Sequence, residues 1–274
     1  MSARHILLIF GGSLEFSLAL ARQAAKQHWC VARACQDSQQ EGAWISTLAE
    51  LGCERMFISS PLTQESHYRQ ALERVQRRWG EVNTVINLAD QPCLGLFETS
   101  TDADWQWTYE HNLLAVSHGC KAAISAMKRQ GSGRLLNITT QSARLPQPGL
   151  ALTSAMHAAV AALSEAMQAE LAPLGIQVQL ACVDFFTGLQ EETPRALTPL
   201  DGARFERLMN ASLSIDEVAA EILRGLKRKD FLIWTHASGR SAWRRYRLRY
   251  ASWLASGRKL AQRLRPERRF LTRK

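Results

Sequence analysis

A regular alternation constrains this chain more than any single residue does. Short runs of aliphatic and β-branched residues begin at His5–Ser13 (HILLIFGGS) and Trp29–Cys35 (WCVARAC). They recur at Arg55–Ile58, Thr84–Leu88, Arg134–Thr140, Gly175–Val183 and Phe231–Trp234. Between them lie segments with helical spacing of apolar residues: Leu14–Gln27, Trp44–Leu51, Gln64–Trp79, an Ala-rich run ending near Pro173, and Ser214–Arg228. A strand repeats every two residues and a helix every 3.6, so the pattern reads strand, helix, strand throughout. Such a chain closes as a doubly wound α/β domain, a mostly parallel sheet with helices on both faces. Helix starts are marked as well. Ser214 and Glu217 have capping-box spacing, and Asp102 or Asp104 is the expected cap of a further helix.

With 274 residues, 46% of them hydrophobic, the chain is long enough for one large core and short for two. Its net charge of +9 is unevenly held. From His236 onward there are thirteen Lys/Arg and one acid, Glu267, whereas the rest holds 21 basic and 24 acidic residues. The division is therefore a near-neutral body, residues 1–235, and a basic tail, residues 236–274. No apolar run reaches the roughly eighteen residues of a membrane span, and Met1–His5 lacks the plan of a secretion signal. Six cysteines (30, 35, 53, 93, 120, 182) show no CxxC spacing. They read as reduced thiols, several of them buried, in a cytoplasmic protein, and no metal set is readable.

Two stretches carry chemistry. Strand, glycine turn and helix over residues 5–27 open a dinucleotide-binding unit, with Gly11, Gly12 and Ser13 in the turn. Glycines there let the backbone approach a diphosphate, and the helix N-terminus favours its charge. After the second strand, Arg33 is placed to meet a 2′-phosphate and Asp37 a ribose, although a solvated surface charge is the expected state of both. The other stretch, Gly133–Leu171, is a strand, a loop at Pro146–Gly149 and a long helix. Thr140 at the strand's end faces side chains one turn into that helix, where Thr153 and His157, four apart, point the same way. A Thr/His pair can suggest nucleophilic catalysis, but no third carboxylate is readable to complete it.

Together these stretches resemble the short-chain dehydrogenases/reductases over about residues 4–235. That family has a Ser at the strand end, with Tyr-x-x-x-Lys thirteen and seventeen residues later; here Thr140, Thr153 and His157 stand in those places. Its turn reads Thr-Gly-x-x-x-Gly-Ile-Gly; Gly11 fits the first glycine and Glu15-Phe16-Ser17 replaces the rest. Asn87-Leu88-Ala89-Asp90 is similar to its Asn-Asn-Ala-Gly, and Asn112 stands where the family holds a structural water in a proton relay. Val183-Asp184 replaces its Pro-Gly, Gly188 its carboxamide-binding Thr, and Gln190–Asp201 resembles its substrate loop. The resemblance implies a Rossmann-type fold, NAD(P) as cofactor with Gly11, Gly12, Ser13, Asn87 and Ala89 near it, and Thr140, Thr153, His157 and Asn112 at the reacting centre.

Six positions, 15, 17, 90, 153, 157 and 184, depart from the pattern. A threonine hydroxyl is shorter and far less acidic than a phenol, and a carboxylate at residue 15 repels a diphosphate. The departures favour a degenerate reductase fold without the standard reaction, acting as a non-catalytic partner or ligand-binding subunit. Its partner is then a second copy or an active relative, joined through the helices around 103–129 and 152–171 that the family uses. The alternative is an atypical NAD(P)-dependent oxidoreductase using His157, Thr140 and Asn112 on an unusual, lipid-like substrate.

In the tail, Trp243, Tyr246, Tyr250, Trp253, Gly257, Leu260 and Leu264 form one stripe along a single basic helix, Ser241–Leu264. The stripe is expected to dock on the body or on a partner subunit. The other reading is an anionic membrane surface bound through residues 241–264, which makes the protein peripheral at a membrane. A basic helix alone is a weak signal for nucleic acid.

Overall fold

The computed structural model describes residues 4–89, 91–184, 195–197 and 213–264. Asp90, Gly188 and, apart from residues 195–197, the stretch 190–201 lie outside them. Seven parallel strands form the sheet: β1 (Ile6–Phe10), β2 (Cys30–Cys35), β3 (Arg55–Ser59), β4 (Thr84–Leu88), β6 (Gly133–Thr140), β7 (Ile176–Val183) and β9 (Leu232–Trp234). Their order is β3-β2-β1-β4-β6-β7-β9, so the chain moves outward from β1 first one way and then the other. Ligand crevices in such sheets open where the direction reverses, here between β1 and β4.

The helices are α1 (Leu14–Ala25), α2 (Glu41–Ala49), α3 (Glu65–Trp79), α4 (Asp102–Thr108), α5 (Ala115–Gln130), α6 (Ala151–Leu171) and α7 (Ile215–Arg228). A parallel sheet is covered on both faces, and its strands here are apolar on both sides. One core packs α3, α5 and α6 against the sheet through Leu8, Phe10, Leu72, Val116 and Val160. The other packs α1, α2 and α7 through Leu7, Ile9, Leu20, Trp44 and Ile222. The Ala-rich α6 is buried all round in its first turn, at Leu152, Thr153 and Ser154, and then along one face, His157, Val160, Ala161, Ser164, Met167 and Leu171. All six cysteines are free and buried.

Four features differ from expectation or lie outside it. Thr101, not Asp102 or Asp104, caps α4, and Asp104 closes the box from the third position. The Thr101 bonds and Arg195, 2.7 Å away, hold the Asp104 carboxyl below the usual carboxylate range. That ion pair fixes a two-strand ladder of β5 (Cys93–Leu94) and β8 (Arg195–Ala196), which no sequence pattern announces. Between α4 and α5 the chain makes a π-helical turn, Tyr109–Leu114. The tail is two helices, α8 (Ala237–Leu248) and α9 (Tyr250–Leu264), because Arg249 leaves helical geometry at φ −136° and ψ 53°. Trp243, Tyr246 and Trp253 pack against the body, which divides the expected stripe into a docked part and an outward part.

Candidate active site

Residues four apart on α6 do share one face, and that face meets the end of β6. His157 is fully buried. Its Nδ1 accepts from the Thr140 backbone N–H at 3.2 Å and lies 2.9 Å from Thr140 Oγ1. An N–H pointed at Nδ1 makes that atom the acceptor, so the neutral ring carries its proton on Nε2. That proton goes to Asn112 Oδ1, 3.1 Å away. The amide orientation of Asn112 follows from its other bonds: Nδ2 donates to the carbonyls of Gln91 and Thr108, both at 3.0 Å. The Gln91 N–H also donates to Asn112 Oδ1, at 3.3 Å.

The π-helical turn is what carries Asn112 inward, a use of such turns that recurs at functional sites. Where the family holds a water, this chain brings Asn112 directly onto an imidazole. At the other end, Thr140 Oγ1 lies 2.6 Å from Ser142 Oγ. A continuous chain of polar groups thus runs Ser142, Thr140, His157, Asn112. Burial pushes the His157 pKa down to about 3, so the ring stays neutral through the physiological range. It does not replace the cation that the family's lysine supplies. Thr140 is the half-buried member of the chain.

Thr153 is elsewhere engaged. Its hydroxyl accepts from the Cys93 N–H at 2.9 Å and donates to the Cys93 carbonyl at 3.1 Å. With both bonds made and the side chain fully buried, it ties β5 to α6 and has no proton to offer a substrate. Neither Ser142 nor Cys93 was legible as a member of this cluster. Ser142 is a hydroxyl two residues beyond Thr140, the one sequence signal that could have marked it, whereas nothing in the sequence marks Cys93.

Apart from this network, a cleft of about 520 Å³ opens where β1 and β4 diverge, lined by Gly11, Gly12, Arg33, Asp37, Leu88 and His118 among others. Gly11 and Gly12 have φ of +70° and +76°, and a Cβ on Gly12 would stand 2.1 Å from Leu88 Cδ1. Only glycine fits that turn. The three other residues expected there are placed differently. Ser13 is buried and its Oγ caps α1 by accepting from the Phe16 N–H. Asn87 turns into the core, donating to Asn137 Oδ1 at 2.9 Å, and Ala89 is fully buried with its N–H on the Ile138 carbonyl.

Phe16 does not fill the cleft. It is 1% exposed and belongs to the core with Leu7 and Ile9, while the Ser17 hydroxyl turns back to the Leu14 carbonyl at 2.9 Å. Nor is Arg33 a solvated charge. It is fully buried, donates to the Gly12 carbonyl at 2.7 Å, and lies 5.8 Å from the Trp44 ring centre and 5.9 Å from that of Phe57. The aromatic faces and the carbonyl offset the loss of water around the guanidinium. Asp37, by contrast, is exposed and accepts from the Gln39 N–H at 2.9 Å.

Residues 5–195 match the family of short chain dehydrogenases. A 3-beta-hydroxysteroid dehydrogenase of Comamonas testosteroni is 35% identical over 126 residues, which are 46% of this chain and 49% of that protein. The chain thus spans about half the length of that relative. A 3-ketodihydrosphingosine reductase of Bacteroides thetaiotaomicron is 27% identical over 199 residues, 72% of this chain and 70% of its own. Among solved structures, a short-chain dehydrogenase from Streptomyces avermitilis is similar with a TM-score of 0.79 at 19% identity, covering 96% of this chain and 98% of that one. A short chain dehydrogenase/reductase from Burkholderia phymatum in complex with NAD has the same TM-score and identity, covering 93% and 96%. At such identity the structural likeness concerns the fold alone, but the family match spans well over half the chain. The chain belongs to the short-chain dehydrogenase family, with a His/Thr/Asn network in place of its tyrosine and lysine.

Proposed function

We propose that the protein is an atypical NAD(P)-dependent oxidoreductase in which Thr140, backed by a neutral His157 and Asn112, meets a carbonyl or alcohol. The observation that carries this reading is the unbroken polar chain Ser142–Thr140–His157–Asn112, whose outermost member is half-buried. The glycine turn supports it. Phe16 and Ser17 turn inward, so the cleft keeps its glycine wall, and the buried Arg33 sets a positive charge beneath it. Gly11, Gly12 and Leu88 would hold the nucleotide, and the nicotinamide, when bound, exchanges a hydride with the substrate carbon.

The protein's part is to manage the proton. In the reducing direction the Thr140 hydroxyl donates to the carbonyl oxygen as negative charge grows there. A bare threonine or serine alkoxide is too basic to persist, so Ser142 passes its proton to Thr140 only while taking one up from solvent, and the proton that ends on the carbonyl oxygen is drawn in net from water. The Thr140 backbone N–H and His157 Nδ1 fix where that hydroxyl sits, and Asn112 fixes the ring. This is a neutral relay, weaker than a phenol beside a lysine. The substrate class is apolar and lipid-like. Support comes from two relatives, one named for a hydroxysteroid and the other for 3-ketodihydrosphingosine.

A second reading rests on Thr153, whose hydroxyl is committed to the backbone of Cys93. In it the chain is a non-catalytic partner of a second copy or of an active relative. Calorimetric titration with NADPH and NADH, followed by turnover of long-chain ketones by the wild type and Thr140→Val, separates the two. Cofactor binding with turnover reduced about a hundredfold in the variant supports the oxidoreductase. No heat at millimolar cofactor removes it in favour of the partner reading.

A further inference from the structure

The tail's aromatic stripe does not account for the whole tail. Trp243, Tyr246 and Trp253 pack on the body, and Tyr246 meets Trp253 edge-on at 5.6 Å. Residues on both sides of the break at Arg249 face outward. Leu248 is 84% exposed, Tyr250 55% and Leu254 45%, an apolar group at the elbow of α8 and α9. Around it stand the exposed Arg240, Arg244, Arg245, Arg247, Arg249 and Arg258, with no Asp or Glu anywhere from residue 231 to residue 266. Among the described residues none of these arginines forms a salt bridge, although Arg247 lies over Trp243 at 5.1 Å.

We propose that this elbow is a docking surface for an anionic lipid bilayer. Leucine and tyrosine side chains that stand out from a helix bend reach the level of lipid headgroups, and arginines around them pair with phosphates. The charge favours a negatively charged occupant, and the apolar tip favours one with a hydrocarbon interior. A nucleic acid supplies the first and not the second. No helix among the described residues is long and apolar enough to cross a membrane, so attachment is at the surface. The docked half of the tail fixes the elbow to the body. Membrane contact would therefore also fix the body's orientation.

The test uses the full chain and vesicles of phosphatidylcholine, with or without about one third phosphatidylglycerol. Binding to the anionic vesicles should exceed binding to neutral ones about tenfold or more, and salt should weaken it. Leu248→Ser with Leu254→Ser should lower it about tenfold, since both side chains are exposed and outside the core. Arg240→Gln, Arg244→Gln, Arg245→Gln and Arg249→Gln together should abolish the preference for anionic lipid. Equal binding to both vesicle types overturns the proposal, as does tighter binding to a duplex oligonucleotide. So does self-association of the full chain that the leucine variant loses, without any vesicle binding, which would assign the elbow to a second copy.

Discussion

The glycine-turn cleft and the His157 network depart from the family pattern to a similar degree, yet the departures act on them in opposite ways. In the cleft, Glu15 and Ser17 replace glycines and Phe16 an isoleucine: Phe16 enters the core, Ser17 bonds its own helix, and Glu15 stays half-exposed in the first turn of α1. The shape of the wall survives while the sequence changes. In the network the wall itself is rebuilt. Thr153 and His157 take the tyrosine and lysine positions and bond the backbone of β5 and the Asn112 amide, so the polar groups are satisfied inside the protein. A cleft tolerates substitution where side chains have an apolar core to enter. A buried polar position does not, because every new group there must find partners.

If the network is structural as well as chemical, His157→Ala should be the most damaging change. It leaves the Thr140 N–H without its partner, removes one of the two donors to Asn112 Oδ1, and opens a cavity at a fully buried site. The expected loss is about 3–5 kcal/mol, read from urea unfolding. A loss below about 1 kcal/mol would mean the imidazole is not held as described, and the contrast with the cleft would fail.

Acid gives the next largest effect. A histidine with a folded pKa near 3 and an ordinary unfolded value of 6.5 takes up its proton more readily when unfolded. Its neutral form is fully stabilising above pH 6.5, and that contribution is lost as pH falls from 6.5 towards 3, at about 1.4 kcal/mol per pH unit. His5, pushed down to about 4 mainly by burial, acts in the same direction. The diagnostic quantity is therefore the difference in slope between the wild type and His157→Gln. Equal slopes would place the proton elsewhere.

Thr153→Val sharpens the contrast further. It keeps the shape and removes the hydroxyl, leaving the Cys93 N–H and carbonyl unpaired in a buried place. About 1–3 kcal/mol should be lost in thermal or urea unfolding. Turnover, if present, should be retained, because both hydrogen bonds of this hydroxyl are committed to the Cys93 backbone. A selective loss of turnover at unchanged stability would return Thr153 to the catalytic role that its family position implies.

The fold was legible because parallel α/β structure depends on pattern. The strands at Arg134–Thr140 and Thr84–Leu88, and the capping box at Ser214 and Glu217, were readable from period and spacing alone. The meeting of Thr140 with His157 was legible in the same way, from the helix repeat. What the pattern leaves out is the direction of single side chains. Arg33 reads as a surface charge until Trp44 and Phe57 are seen to enclose it, and both come from distant elements. Cys93 carries no signal because its part is played by its backbone. The tail's break at Arg249 was equally hidden, since the aromatic spacing continues across it and only packing against the body selects which residues face in.

Ser13 tests the cleft side with the smallest expected effect and the sharpest split. As a cofactor contact its hydroxyl would face the nucleotide, but in the structure its Oγ accepts from the Phe16 N–H at the start of α1. Removing a cap of this kind typically costs about 1 kcal/mol, whereas glycine in the same place costs only a few tenths. Ser13→Ala should therefore lower stability by about 1 kcal/mol, with Ser13→Gly between it and the wild type, and neither should change the affinity for NADPH measured on the wild type in the proposed titration. A tenfold weaker affinity in both variants, with stability unchanged, would put the hydroxyl on the ligand instead. The cleft would then depend on the same internal hydrogen bonding as the network at the end of β6, and the distinction between a shape that survives and a wall that is rebuilt would no longer hold.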